Sequence, residues 1–362
     1  MEPIISADSH IAEIEACYLD IDPRYRDRRP RPADDPEVGA YFAIADFPMK
    51  VPMGSVCRAG TPPEKWNVPI HWHELHPAGW DPRARLAIQD EEQVKAEVIY
   101  PSVGLMLNLH PDHDYKKACF DAYNRWLAQF CATDPARLIG IAMATLRSVE
   151  EGIRELEELK RAGFRGVMLP GEPKLEDYNH RCYDPLWQTF VDLGMAVHFH
   201  ILTARDSIGM QVRGPQIIQQ IVTVRGNQNI AMLMILGGVF ERHPDLRVVL
   251  VENDAGWIPH FSFRMDHAWE RHRWWMKVDG VPRHPSEYMN QNIYATFQDD
   301  SSVRHVKDAI NCERVMWATD FPHGDGTYPR SRAIIDEVTQ GMTPKQRSAI
   351  VHDNAAALYG IA

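Results

Sequence analysis

Four short stretches of this 362-residue chain set metal-binding or proton-moving side chains two or three residues apart. Asp8-Ser9-His10 and His198-Phe199-His200 each place such groups at i and i+2. Glu252-Asn253-Asp254 repeats the spacing with carboxylates, and Asp320 stands three residues before His323. On a β-strand, side chains at i and i+2 point to one face, so both members of a pair can reach one point. A divalent ion held by Asp8, His10, one of His198 and His200, and Asp320 would have nitrogen and oxygen ligands, with room for water or substrate. Such a set suits Zn2+, or Mn2+ where oxygen dominates. A lone Asp-x-His pair is a weak signal, since a capping Asp beside a satisfied core His spells the same. The weight lies in the four stretches together.

Each stretch closes a short apolar run. Strands are predicted at 4–8, 97–101, 138–144, 166–169, 196–200, 248–252, 293–297 and 315–319. Their cores are rich in Val, Ile, Leu and Met and do not alternate, as parallel strands covered on both faces read. Amphipathic segments between them predict helices over 115–133, 149–162, 185–193, 214–243 and 333–340. Alternation of this kind implies βαβ units, and eight strands suggest a closed (β/α)8 barrel. An open doubly wound sheet is the alternative, weakened by the lack of a G-x-G-x-x-G after the first strand. In a barrel, function sits at the C-terminal strand ends, where all four stretches fall. Residues 20–90 break the pattern, holding 11 of the 26 prolines. A segment this long is expected to be an ordered insertion, a lid or an oligomer arm.

Composition narrows the field. With 44% hydrophobic and 25% charged residues the chain is globular, and it contains no apolar run long enough for a membrane span. The formal charge of −11 argues against nucleic acid or anionic membrane as partner. The N-terminus lacks the features of a secretory signal. Six scattered cysteines without a C-x-x-C pair read as reduced thiols. A cytoplasmic protein acting on a small molecule is expected. The 17 histidines stand out, histidine being the commonest metal ligand.

Longer segments add a likeness. Ala7-Asp8-Ser9-His10 with Glu13, Val98-Ile99-Tyr100-Pro101-Ser102, Ala122-Tyr123-Asn124-Arg125-Trp126-Leu127, Gly163-Phe164-Arg165-Gly166-Val167 with Leu169-Pro170, Val251-Glu252 with Gly256-Trp257-Ile258-Pro259, Trp317 with Thr319-Asp320-Phe321-Pro322-His323, and Asn354-Ala355-Ala356 with Leu358-Tyr359-Gly360 run nearly the whole chain. Together they resemble the amidohydrolase superfamily, in particular its amidohydrolase-2 branch of aminocarboxymuconate semialdehyde decarboxylase and metal-dependent aromatic-acid decarboxylases. The resemblance implies a distorted TIM barrel over 1–362, as one domain, with one divalent ion, Zn2+ or Mn2+. It gives the strand-1 ligands to Asp8 and His10 and the strand-5 ligand to His200 rather than His198. Asp320 both touches the metal and moves a proton. It also implies a homodimer or higher oligomer.

Two departures matter. The first ligand in the family is often His or Glu, and here it is Asp8. Many relatives carry a substrate-contacting His on strand 6, where this chain has Glu252, a candidate base, ligand or arginine partner. His323 is a candidate proton donor. Glu13, Tyr100, Phe297 and Gln298 are candidates to line the pocket. Arg205 and Arg225 are candidate carboxylate clamps. His71, His73 and His76 offer a weak second metal pattern, and Trp269, Trp274 and Trp275 an aromatic surface.

Two reactions use the same residues. In non-oxidative decarboxylation of an aromatic or unsaturated acid, the metal anchors the substrate and protonated Asp320 delivers a proton to carbon. In hydrolysis, Asp320 takes a proton from metal-activated water. Branch membership favours the first and Glu252 the second. A metal-free scaffold barrel is a third, remote reading, opposed by the intact Asp8, His10, His200 and Asp320.

Overall fold

The computed structural model describes residues 3–66, 68–204 and 213–362. Eight parallel strands form its frame: β1 (Ile4–Ile11), β2 (Val94–Pro101), β3 (Leu138–Gly140 continued by Ala142–Met143), β4 (Gly166–Met168), β5 (Ala196–His200), β6 (Val248–Val251), β7 (Ile293–Phe297) and β8 (Val315–Trp317). Each pairs with the next in chain order. β3 turns a corner: its first half pairs with β2 and its second with β4. The ring returns where β8 meets β1. There Asp320 N donates to Asp8 O at 3.0 Å and His10 N to Phe321 O at 2.7 Å. Just below, Thr319 N donates to the Ser6 hydroxyl at 2.8 Å, so a side chain replaces a ladder bond. The register of β1 also slips between Ser6 and Ser9. This is the distorted (β/α)8 barrel that the strand count and the resemblance predict. The strands are buried almost without a break, the physical reason they read as solid apolar runs.

Helices cover the outside. The predicted segments at 115–133, 149–162, 185–193 and 333–340 form His113–Cys131, Val149–Arg161, Asp184–Leu193 and Ser331–Val338. Their starts follow capping chemistry. The Asp112 side chain accepts from Asp114 N and Tyr115 N, and that of Ser148 from Glu151 N. The continuous helix expected over 214–243 is corrected to three pieces, Ile218–Val222, Arg225–Leu236 and Val239–Arg242. Its second break is at Gly237-Gly238. Gly238 takes φ +70, and a Cβ on Gly237 would lie 2.2 Å from that of Asn179, so the backbone turns where only glycine fits.

The 20–90 insertion is ordered. Arg31–Asp35, Gly39–Ala43 and Val51–Pro52 make a small antiparallel sheet, and Pro82–Glu92 is a helix. The insertion docks on the β8/β1 junction. Arg58 N and Ala59 N both donate to Pro322 O at 2.9 Å, and Ala12 N donates to Gly79 O at 2.9 Å. Gly79 is obligatory there, because a Cβ would sit 2.8 Å from that of Ala12. No helix among the described residues is long and apolar enough to cross a membrane.

Candidate metal centre

The strand ends converge as the i, i+2 logic requires. Asp8, His10, His200 and Glu252 present donor atoms that all lie within 4.8 Å of one another, and His10, Asp320 and His323 form a second such group. His10 Nε2 is 3.3 Å from Asp8 Oδ1, 3.2 Å from Asp320 Oδ1 and 3.3 Å from His200 Nε2. His200 Nε2 is 3.7 Å from Asp8 Oδ1 and 3.7 Å from Glu252 Oε2. The three innermost residues are wholly buried.

Hydrogen bonds behind the histidines fix which nitrogen faces the centre. His10 Nδ1 lies 2.8 Å from Pro101 O and His200 Nδ1 lies 3.0 Å from Ile201 O. A carbonyl only accepts, so each Nδ1 carries the hydrogen, and in the neutral ring each Nε2 turns a lone pair inward. Both Asp8 oxygens are buried without a hydrogen-bond donor. Lone pairs and a carboxylate thus face one another in a dry pocket, which is unfavourable unless a cation lies among them. The titration tendencies agree. Burial alone would raise the Asp8 carboxyl, but His10 and His200 hold it below the usual range. Burial would lower His10, yet Asp8 and Asp320 hold it well above. Burial, with Asp320 and Asp8 beside it, pushes Glu252 well up. The acceptors around His10 Nε2 favour a positive charge at that point, a proton or a cation, and the donor set fits a divalent metal ion.

The backbone at this lip is unusual. Glu252 and Asp320 take φ of 55 and 56, and Asp254 takes 55. Left-handed non-glycine residues are uncommon and cluster at functional sites. Here they turn the chain abruptly after β6 and β8, leaving the side chains at the mouth.

Asp320 reaches a second network. His323 Nδ1 is 3.0 Å from Asp320 Oδ1, and His323 Nε2 is 2.9 Å from Ser102 Oγ. The Ser102 hydroxyl also lies 2.8 Å from Ile11 O, to which it donates. Ser102 belongs to the Tyr100-Pro101-Ser102 motif, but nothing in its type or spacing marked it as a partner of His323.

The alternatives separate by depth. His198 lies a layer below His200. Its Nδ1 meets the Tyr100 hydroxyl at 2.8 Å, its ring stacks on Tyr359 at 5.8 Å, and burial pushes it down to about 3. The geometry brings His200, and not His198, to the donor group. Tyr100 and Phe297 are fully buried and Gln298 nearly so. Asn124 caps Met143, donating to its carbonyl at 2.8 Å and accepting from its N–H at 2.9 Å. Arg205 lies outside the described residues, and Arg225 is exposed on its helix. His71 contacts Asp34 at 3.2 Å, and His76 caps Ala78 N at 3.1 Å. Neither these two nor His73 joins a three-donor group among the described residues. Trp269 turns inward, its indole donating to Val281 O at 2.9 Å, whereas Trp274 and Trp275 are exposed.

Glu13 is placed away from solvent. Its carboxylate accepts from Ser102 N, Val103 N and Gly104 N at 2.9–3.2 Å, filling the nest that opens the helix Val103–Leu107. Burial nevertheless pushes its carboxyl up to about 7. The folded chain therefore holds a proton that the unfolded chain, with an ordinary glutamate near 4.5, releases earlier. The stabilisation is complete below about 4.5 and is lost as pH rises through about 7. Between those limits the group accounts for a loss on the order of 3 kcal/mol. Urea unfolding at pH 5 and pH 7.5 is expected to show this decline in the native protein and a flatter profile in Glu13→Gln.

An eight-stranded α/β barrel with a buried His/carboxylate centre at the C-terminal strand ends defines a class of metal-site barrels. The amidohydrolase family model matches residues 67–361, and the chain belongs to that family. It is 24% identical over 276 residues to the gamma-resorcylate decarboxylase of Rhodococcus jostii, covering 70% of this chain and 80% of that protein. An amidohydrolase from Mycobacterium avium subsp. paratuberculosis superposes with a TM-score of 0.82 at 20% identity, over 99% of both chains. A dihydroxybenzoic acid decarboxylase from Polaromonas sp., solved with manganese and the inhibitor 2-nitroresorcinol, gives 0.65 at 18% identity, covering 100% of this chain and 98% of that one.

Proposed function

We propose that the protein is a metal-dependent, non-oxidative decarboxylase of a small aromatic or unsaturated carboxylic acid. Asp8, His10 and His200 hold one divalent ion, Mn2+ or Zn2+, with Glu252 in the same donor group and Asp320 one contact away across His10. When bound, the ion supplies Lewis-acid stabilisation of negative charge developing on the substrate.

One observation carries the choice of reaction. Because Ser102 spends its hydroxyl hydrogen on Ile11 O, its oxygen can only accept from His323, and Nε2 must carry a hydrogen. In a neutral ring, Nδ1 then has a lone pair to offer Asp320 Oδ1, 3.0 Å away. A carboxylate and a lone pair repel at that distance unless a proton or a cation lies between them, and His10, Asp320 and His323 form one donor group that could take either. In this reading the Asp320–His323 pair takes up a proton when substrate binds: burial pushes His323 down and, against burial, His323 and His10 hold Asp320 low in the free site, so the proton is loosely held and ready to move. Decarboxylation needs that proton at the carbon that loses CO2, whereas hydrolysis needs a resting base. Asp320 delivers it and His323 replenishes it.

The Asp320–His323 pair at the mouth and the relationship to a named decarboxylase support this reading over hydrolysis. Glu252 favours the second reading, since an acidic residue in the donor group suits a base for water. The protein loaded with Mn2+ is assayed against hydroxybenzoates and unsaturated acids for CO2, and against esters and lactones for hydrolysis. CO2 release from at least one acid is expected. Turnover confined to esters or lactones would reverse the assignment. We further propose that residues 1–362 work as one domain, in the cytoplasm, as a homodimer or higher oligomer. Exposed Trp274, Trp275 and Met276 at the end of the helix Ile258–Met276 are candidates for the subunit contact.

A further inference from the structure

We infer that Arg85, on the insertion helix Pro82–Glu92, is a positioning residue for the metal centre: it staples the β8/β1 seam and so sets the separation of Asp8 and His10 from Asp320. The step from seam to metal rests on the proposed function above; the stapling itself does not.

β8 and β1 share no continuous strand ladder among the described residues. Among the described residues, two backbone bonds cross the seam at the level of the centre, Asp320 N to Asp8 O and His10 N to Phe321 O. Arg85 lies directly behind them and is fully buried. Its Nη2 donates to His10 O, and its Nη1 lies 3.4 Å from Phe321 O and 3.1 Å from Glu97 Oε2. Its Nε donates to Ala78 O at 2.7 Å. The guanidinium also lies over the Phe321 ring at 4.7 Å. One planar fork therefore binds the carbonyl of a candidate ligand, His10, and the carbonyl of the residue after Asp320. A second layer holds the fork in place. Gln89 Nε2 shares Glu97 Oε2 at 3.0 Å, and the helix start is fixed by Asp81, which accepts from Arg83 N and Ala84 N. Lysine carries the charge but offers no rigid fork that could span two carbonyls and a carboxylate.

A plain structural ion pair between Arg85 and Glu97 would also leave Arg85 buried, and two substitutions separate the cases. Arg85→Lys keeps a charge opposite Glu97 and loses the span between the carbonyls. Glu97→Gln keeps the fork and both carbonyl contacts and loses the ion pair. Hydrogen exchange of the metal-free full chain and Mn2+ affinity, with the electron paramagnetic resonance lineshape of bound Mn2+, are compared in both. Stapling predicts that the peptides holding His10 and Asp320 exchange at least tenfold faster in Arg85→Lys, while those of β4 and β5 stay unchanged. It predicts a Mn2+ dissociation constant raised at least tenfold, with an altered lineshape, and both readouts within twofold of native in Glu97→Gln. Uniformly faster exchange with unchanged Mn2+ affinity and lineshape in Arg85→Lys would overturn it. So would equal effects of the two substitutions. If Arg85→Lys does not fold, Arg85→Gln combined with Glu97→Gln, which removes both charges of the pair, is read by the same criteria. If the native protein takes up no Mn2+, the metal reading falls, and the exchange pattern alone decides whether Arg85 staples the seam.

Discussion

Asparagine at position 320 is expected to lower the rate of CO2 release by about two to four orders of magnitude, the range for loss of a general acid. The substitution keeps the size and shape of a wholly enclosed side chain, so the barrel should fold. What it removes is the carboxyl that, in the proposed reaction, carries the proton beside His323. Asp320 stands in the donor group of His10 and His323, while Asp8, His10, His200 and Glu252 form the other. The variant is therefore expected to keep most of its metal. Metal content by plasma mass spectrometry, beside CO2 release, checks both halves. Rate lost with metal retained supports proton delivery. Rate and metal lost together would make Asp320 chiefly a ligand.

Removing the metal is expected to abolish turnover and to lower the melting temperature. An ion that binds only the folded chain stabilises it by about 3 kcal/mol at a hundredfold excess over its dissociation constant, which corresponds to several degrees in a chain of this size. Here the effect has a local cause. Without a cation, the buried Asp8 oxygens have no donor and two imidazole lone pairs face each other at 3.3 Å. Chelator should therefore shift the melting curve of the native protein, and readdition of Mn2+ should restore it. His200→Ala, which opens the donor group, should melt at the same temperature with and without chelator. A native protein indifferent to chelator, and with no bound metal as purified, would sink the ligand assignment.

The strand ends were legible in the sequence because a strand places alternate residues on one face whatever surrounds it. Asp8, His10 and Asp320 followed from that, as did the eight apolar runs, which were solid because helices cover their outer faces. The pair His198 and His200 was not separable on those grounds. Both point into the barrel, and only depth distinguishes them: His198 is caught by Tyr100 and Tyr359, and His200 stands at the lip. Glu252 illustrates the same limit. Its position after a strand was readable, but its place in the donor group follows from a left-handed turn that no local pattern announces.

The insertion was legible as an excursion, through its prolines, and its role was not. A charged helix with an Asp-Pro start says nothing about what its arginine will meet. Arg85 and Glu97 are 12 residues apart, but Phe321 is 236 residues from Arg85 and becomes its neighbour only when the barrel closes. The second break in the long helix expected over 214–243 falls at Gly237-Gly238, where Gly237 lies against Asn179, a contact that exists only in the folded molecule. The sequence by itself thus determined the fold class and the kinds of side chain at the strand ends, because periodicity and side-chain chemistry are local. Which of those side chains meet, which carry protons and what holds them in register were decided by tertiary structure, because each depends on partners brought together by closure of the β8/β1 seam.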